Sequence, residues 1–282
     1  MRKIANHTAV VTGASRGIGP YIARALAREK MNVALVARSP GPLEEVAAEL
    51  EGLGARALAV PADLTRREDL ETLVERVTGE FGGIDVLVNN AGIEVRGPYH
   101  ATTPEEIEQV LQANLTAPML LTRLVLPGML ERGRGHIVNV ASLAGKMGLP
   151  YFGVYSASKA GLIGFTRALR AEYRESGIGA SAILLGYVRE AGVYQRTVEE
   201  TGVGVPKLMT SSPEAVARAV LRALRRDLPE VVVAPAPAAM RVTTALQELF
   251  PSFAASILQR SGTTDVIRKT VRARESGNTD AG

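Results

Sequence analysis

Tyr155 and Lys159 stand four residues apart in "GVYSASKAG", residues 153–161. On a helix, side chains at i and i+4 share a face, so this phenol and this ammonium emerge side by side. A phenol ordinarily ionises near pH 10, and lowering that by roughly three units takes about 4 kcal/mol of preferential phenolate stabilisation. A neighbouring cation supplies part of it. A Tyr so placed can give a proton to an oxygen, or take one from it. The Gly, Ser and Ala residues around the pair would let something bulky lie against that face. An ordinary surface Tyr–Lys pair is the plain alternative, and the spacing alone favours it.

Other residues bear on that choice. Ser142 ends the apolar run "HIVNVAS", and its hydroxyl could polarise a carbonyl oxygen in the same crevice. Asn114 lies in "QVLQANLTAP", a helical pattern in which Asn is unfavourable. Pro118, four residues on, cannot donate to the Asn114 carbonyl, and its ring pushes that turn open. The freed carbonyl, beside Lys159, could hold a water on a proton path to Tyr155. A merely kinked packing helix accounts for Pro118 but not for Asn. "VTGASRGIG", residues 11–19, joins a strand pattern to a helix pattern through Gly13, Gly17 and Gly19. Gly13 allows the tight turn, and Gly17 and Gly19 let a pyrophosphate approach the backbone at a helix N-terminus. Pro20 sits in the first helical turn, where its missing N–H costs little.

These residues need elements to hold them. Strand-like runs occupy residues 8–12, 32–37, 57–60, 85–89, 136–142, 180–185 and 230–234. Helix-length segments lie between them. "TRRE" (65–68) and "TPEE" (103–106) read as capping boxes, and Ser212–Pro213–Glu214 opens a further helix. Fully apolar strands alternating with helices predict an α/β, doubly wound parallel sheet of about seven strands, covered by helices on both faces. Ligand then binds at the carboxyl ends of the strands.

The spacing of Gly13, Gly17 and Gly19, "NNAG" at 89–92 and "YSASK" later in the chain resembles the short-chain dehydrogenase/reductase family, in family order, from about residue 6 to 235. The resemblance implies a Rossmann-type fold and a catalytic set of Asn114, Ser142, Tyr155 and Lys159. It implies dinucleotide contacts from Gly13, Ser15, Arg16, Gly17, Ile18, Gly19, Arg38, Asp63, Leu64, Asn90, Ala91, Gly92, Ile93, Tyr155, Lys159, Gly186 and Val188. NAD-preferring relatives carry an acidic residue after the second strand; here Ala37 and Arg38 stand there, and Arg16 with Arg38 would bracket a 2′-phosphate. NADP(H) is therefore the expected cofactor, with NAD(H) the alternative. After the sixth strand Leu185 replaces the family's usual Pro and Glu190 its Thr, so the nicotinamide contact is expected from the Val188 backbone, with Glu190 pointing away. Relatives pair through the helices carrying Asn114 and Tyr155, which implies a homodimer or homotetramer.

Composition excludes several classes. The 282 residues carry a net charge of +4 with scattered basic residues and 4% aromatics, a poor nucleic-acid footprint. No Cys is present, which removes disulfides and thiolate ligands, and His7, His100 and His136 lie too far apart to suggest a metal site. No apolar run reaches membrane-spanning length and no signal-peptide pattern opens the chain, so a cytoplasmic location is expected. Ala144, Leu149, Tyr151, Phe152, Tyr187 and Val193 are the expected substrate contacts, and their apolar character favours a lipophilic substrate.

Residues 1–236 are expected to form the dinucleotide-binding and catalytic domain. Residues 237–282 are expected to add a helical extension with a disordered end. Met240, Val242, Leu246, Leu249, Phe250, Phe253, Ile257 and Leu258 give it an apolar stripe broken at Pro251, predicting two short helices that wall the substrate side of the cleft or a subunit contact. The expected activity is interconversion of a ketone or aldehyde with its alcohol, Tyr155 being the acid and base. The alternatives are an NAD-linked dehydrogenase of a hydroxylated lipid or sterol, and a non-catalytic dinucleotide-binding sensor.

Overall fold

Runs of Val, Ala, Leu and Ile without a charge can be strands only if both faces are covered, and that is the arrangement found. The computed structural model describes residues 4–249 together with residues 268 and 271. Its strands are β1 (Thr8–Thr12), β2 (Asn32–Ala37), β3 (Ala57–Pro61), β4 (Val86–Asn89), β5 (Gly135–Ser142), β6 (Ile178–Leu185), β7 (Tyr187–Val188), β8 (Thr210–Ser211) and β9 (Glu230–Val233). Seven of them form one sheet in the order β3-β2-β1-β4-β5-β6-β9, every pairing parallel. The other two, β7 and β8, pair with each other in a small parallel ladder that sequence patterning did not predict.

The helices are α1 (Gly19–Arg28), α2 (Pro40–Gly52), α3 (Arg67–Phe81), α4 (Pro104–Leu111), α5 (Ala117–Glu131), α6 (Ala144–Met147), α7 (Gly153–Glu172), α8 (Gly192–Thr201), α9 (Pro213–Arg226) and α10 (Pro237–Leu249). Alternation along the strands sorts the core into two layers. Ala9, Val11, Val33, Leu35, Val86 and Val88 meet Ile22 and Leu26 of α1, Leu43 of α2 and Val216 and Val220 of α9. Val10, Ala34, Val36 and Leu87 point the other way, onto Leu70 and Leu73 of α3, Leu121 and Val125 of α5 and Leu169 of α7.

Two helix starts differ in an informative way. At residues 103–106 the capping box forms, Thr103 accepting from Glu106 N while the Glu106 carboxylate accepts from Thr103 N. The box expected at 65–68 does not form. Thr65 instead donates through both its N–H and its hydroxyl to Asp63 Oδ1, at 3.0 and 2.7 Å, and α3 begins at Arg67 without a side-chain cap. Ser212 caps α9 through Ala215 N.

The strand order reverses between β1 and β4, the switch point at which an open parallel sheet leaves a crevice at its carboxyl edge. Among the described residues no helix is long and apolar enough to cross a membrane. α10 begins at Pro237 and packs on β9 and α6. Met240 joins the core there, whereas Val242 and Leu246 are 59% and 40% exposed, so the predicted stripe does not lie flat against the described chain. Phe250, Phe253, Ile257, Leu258, the Pro251 break and the expected disordered end lie outside the described residues, as does the side chain of Leu249.

Candidate active site

A cavity of ≈ 1820 Å³ opens at the carboxyl edge of the sheet. Cavities for drug-sized ligands occupy roughly 300–1,000 Å³, so this one has room for a dinucleotide and a second molecule. One end is built on the turn after β1. Gly13 has φ +66°, and a Cβ there would lie 2.9 Å from Ala91 Cα. The turn is pinned to the β4 end: Asn90 N and Ala91 N donate to Thr12 Oγ1, and the Asn90 amide donates to the Thr12 carbonyl at 2.9 Å. Ile18 precedes α1 with no side-chain cap; Pro20 carries no N–H and Tyr21 N donates to the Ile18 carbonyl, so only the very start of that helix faces a ligand with its N–H. Gly19 serves another purpose than expected. It does not line the cavity, and a Cβ on it would lie 2.1 Å from the Gly13 carbonyl oxygen, so its bareness allows helix and turn to close together.

Of the residues expected to contact a dinucleotide, Gly13, Ser15, Arg16, Gly17, Ile18, Arg38, Asp63, Leu64, Asn90, Ala91, Gly92, Ile93, Gly186 and Val188 line this cavity. β2 ends on Ala37, and Arg38 and Ser39, not a carboxylate, follow it directly. A backbone cradle that a Cβ would fill, an uncapped helix start and two guanidinium groups at the far end suit a phosphorylated dinucleotide. The Asp63 carboxylate is held below the ordinary range, chiefly by the hydrogen bonds from Thr65.

At the other end, the last residue of β5 and the first turns of α7 converge. Ser142 Oγ lies 3.3 Å from the Leu185 carbonyl and accepts from Ala144 N at 3.1 Å, which aims the hydroxyl across the strand ends. Lys159 is buried and donates to the Val140 carbonyl at 3.0 Å, with its Nζ 5.8 Å from the Tyr155 ring centroid. Burial pushes its ammonium down to about 8. Tyr155 departs from expectation. Burial raises its phenol above the ordinary value, the Glu94 carboxylate adds to the rise, and only a hydrogen bond with Ser142 works against it. The chain's own groups therefore hold Tyr155 protonated, and the Lys159 charge alone does not lower it.

Asn114 is completely buried and does not line the cavity. The opened turn predicted from Pro118 is present as a π-helical turn, Gln112–Thr116, between α4 and α5. Such a turn rotates one residue out of the helical repeat. The Asn114 side chain grips the Ile93 backbone on both sides, accepting from its N–H and donating to its carbonyl, each at 2.8 Å. The Asn114 amide also donates to Ser158 Oγ at 3.1 Å, and that hydroxyl donates to the Tyr155 carbonyl. Asn114 thus ties the 90–93 loop to the helix that carries Tyr155.

Of the expected substrate contacts, Ala144, Leu149, Phe152 and Tyr187 line the cavity. Tyr151 does not: it takes φ 64°, and its carbonyl accepts from Gly97 N. Val193 lies in α8. Glu190 lines the rim, turned toward Arg189, and its N–H donates to Gln195 Oε1. Sequence reasoning did not single out Glu94, Gln109, Tyr194, Glu199 and Leu208, which add to the wall from four separate segments, whereas Met240 lines it from the extension expected on the substrate side. Only the position of Glu94, two residues past Gly92, was a signal that could have found one of them.

A family model described as short chain dehydrogenase matches residues 7–201. The chain is 41% identical over 278 residues to the "Ketoacyl reductase HetN" of Nostoc sp., covering 97% of this chain and 96% of that one. It is 37% identical over 220 residues to the "Very-long-chain 3-oxoacyl-CoA reductase" of Anas platyrhynchos, covering 76% and 67%. Among solved structures, a metagenomic short-chain oxidoreductase in complex with NADP superposes with a TM-score of 0.71 at 33% identity, over 82% of this chain and 97% of the other. With a family model matched along most of the sheet and a relative aligned from end to end, the chain belongs to the short-chain dehydrogenase family and is an oxidoreductase acting on a carbonyl and its alcohol.

Proposed function

We propose that the chain is an NADP(H)-dependent reductase of ketoacyl compounds in which Tyr155 gives the proton. The observation that carries this reading is the layout of one cavity: Ser142, Tyr155 and Lys159 at one end, Arg16 and Arg38 at the other, with no carboxylate directly after β2. The ketoacyl part draws on the names of the relatives from Nostoc and Anas, and the apolar wall formed by Leu149, Phe152 and Tyr187 supports an acyl chain.

Arg16 and Arg38 would hold the 2′-phosphate, Gly13 and the start of α1 the pyrophosphate, and Lys159 the ribose nearest the reacting ring. The bound nucleotide supplies the hydride. Everything else is work for the chain. Ser142 and Tyr155 donate hydrogen bonds to the substrate oxygen, orienting the carbonyl and stabilising the charge that develops on it. Tyr155 then passes its proton to that oxygen; burial and Glu94 keep the phenol protonated but make it the weaker acid, and the transfer is driven by the greater basicity of the alkoxide that develops on the substrate. Lys159 sets the local positive potential, and Asn114 fixes the helix register. Pairing of two copies through α5 and α7 belongs to the same proposal, and light scattering of the purified protein measures it.

The test follows NADPH consumption with acetoacetyl esters and thioesters, against NADH as cofactor, in wild type and Tyr155→Phe. Turnover with NADPH that vanishes in the variant while NADPH affinity persists is the expected result. A wild type inert on the whole panel overturns the reading.

A further inference from the structure

The charged residues that line the cavity are unevenly distributed. Arg16, Arg24 and Arg38, with the one carboxylate Asp63, lie toward the β1–β3 end, where phosphates are expected. Around the reacting end the lining charges other than Lys159 are, among the described residues, carboxylates: Glu94, Glu190 and Glu199. Glu190 and Glu199 belong to the exposed rim. Glu94 is different. Its side chain is only 10% exposed, it lines the cavity with Tyr155, and its charge is felt at the phenol.

Burying a carboxylate is costly unless a partner compensates. Arg96 does so, with Nη2 2.5 Å from Glu94 Oε1 and a side chain 6% exposed. Arg96 itself does not line the cavity, so it stands behind Glu94, and the same Nη2 lies 3.7 Å from Glu200 Oε2 on α8. Arg96 Nε and Nη1 are buried without a hydrogen-bond partner among the described residues, so the guanidinium is held in place by charge more than by a complete set of hydrogen bonds. What a substrate meets beside Tyr155 is therefore a fixed, ionised oxygen in partly dry surroundings, where like charges repel far more than in water.

We propose that Glu94, braced by Arg96, is the specificity-determining residue of the substrate half: it admits neutral ketoacyl esters and thioesters and turns away the free keto acids. This rests on the ketoacyl reading above. A thioester differs from its acid mainly in lacking the negative charge, so one carboxylate in the wall separates a carrier-bound acyl group from the same group released by hydrolysis.

The test has two arms. In the first, kcat/KM with NADPH is compared for ethyl acetoacetate and acetoacetate at neutral pH, in wild type, Glu94→Gln and Glu94→Asp. Wild type is expected to favour the ester by about a hundredfold, and Glu94→Gln to narrow that ratio by about tenfold or more, mainly through KM for the acid, as expected when a like charge is removed at close range. Glu94→Asp restores the preference. An ester-to-acid ratio equal in wild type and Glu94→Gln, with the ester still reduced, overturns the filter and leaves the ketoacyl reading standing.

The second arm needs no turnover. Decanamide and decanoate are titrated into the NADPH complex, with the fluorescence of the bound reduced nicotinamide as the readout. The amide is expected to bind wild type and the acid only Glu94→Gln. If neither acetoacetate nor its ester reacts, the ketoacyl reading falls, and this arm still decides the filter. Equal binding of acid and amide by wild type, or binding of neither, overturns it. Should Glu94→Gln fold poorly, the double variant Glu94→Gln/Arg96→Met removes the pair together and is held to the same outcomes.

Discussion

Tyr155 and Lys159 illustrate how one environment acts on two groups in opposite senses. Burial raises the phenol and lowers the ammonium to about 8. Tyr155→Phe keeps the ring and removes the acid, so turnover should vanish while NADPH affinity, followed by fluorescence, stays within about twofold. Ser142→Ala should be milder, costing a few kcal/mol or less in barrier. Lys159 adds a stability signature. Its unfolded value is 10.5, so above pH about 8 the unfolded chain holds more protons than the folded one and stability climbs with pH. Near pH ~10 the raised phenol reverses the slope. The climb is at most about 3 kcal/mol, and Lys159→Met should abolish it in urea melts run across that window. Arg38→Asp should weaken NADPH strongly and leave NADH equal or better, read as kcat/KM for both cofactors. A wild type that already prefers NADH would make Arg38 a surface charge.

At the level of elements, most of the sheet was legible, because its strands are uncharged apolar runs that only a two-sided core can satisfy. That the helix opens ahead of Pro118 was legible, because Pro118 removes one helical hydrogen bond wherever the helix lies; that it opens as a π turn at Gln112–Thr116 was not. What the sequence obscured was competition between neighbours. "TRRE" meets the capping pattern, yet Thr65 is taken by Asp63 from the preceding loop. Gly19 fits a ligand-approach pattern but answers to the Gly13 carbonyl. Glu94, Arg96 and Glu200 come from a loop and from α8, and no spacing in the chain announces their meeting. That group gives a further expectation. Arg96→Met takes the guanidinium away from the buried Glu94 carboxylate, which should cost about 3 kcal/mol and appear as a lowered thermal midpoint. An unchanged midpoint would mean that Glu94 swings out to water.

For the molecule as a whole, the two halves of the sheet are closed by α9, and a buried histidine records how tightly. His136 on β5 contacts Ser181 Oγ on β6 at 2.8 Å, and that hydroxyl donates to the Leu228 carbonyl just after α9. Burial lowers the His136 imidazole from 6.5 to about 4. Between those values the unfolded chain binds the extra proton, so stability falls as pH drops through that window, by up to about 3 kcal/mol. His136→Gln should flatten the acid limb of a denaturation series relative to wild type. The tail is tested at the same scale. Met240 lines the cavity from α10, so truncation before Pro237 should raise KM for long-chain ketoacyl esters far more than for NADPH.

The central position of β1 has a consequence for how the chain is made. Thr12, at its end, receives the N–H groups of Asn90 and Ala91, separated from it by 78 and 79 residues. Residues 13–92 contain almost every group of the phosphate cradle, and all of them leave a ribosome before Ser142, Tyr155 and Lys159 have been translated. β3, β2 and β1, with β4 as the first strand past the switch point, form one contiguous side of the sheet, whereas β5, β6 and β9 are added afterwards beyond β4. Synthesis from the N-terminus thus assembles the nucleotide cradle ahead of the groups that act on substrate, and nucleotide bound to a nascent half-sheet would template the arrival of β5.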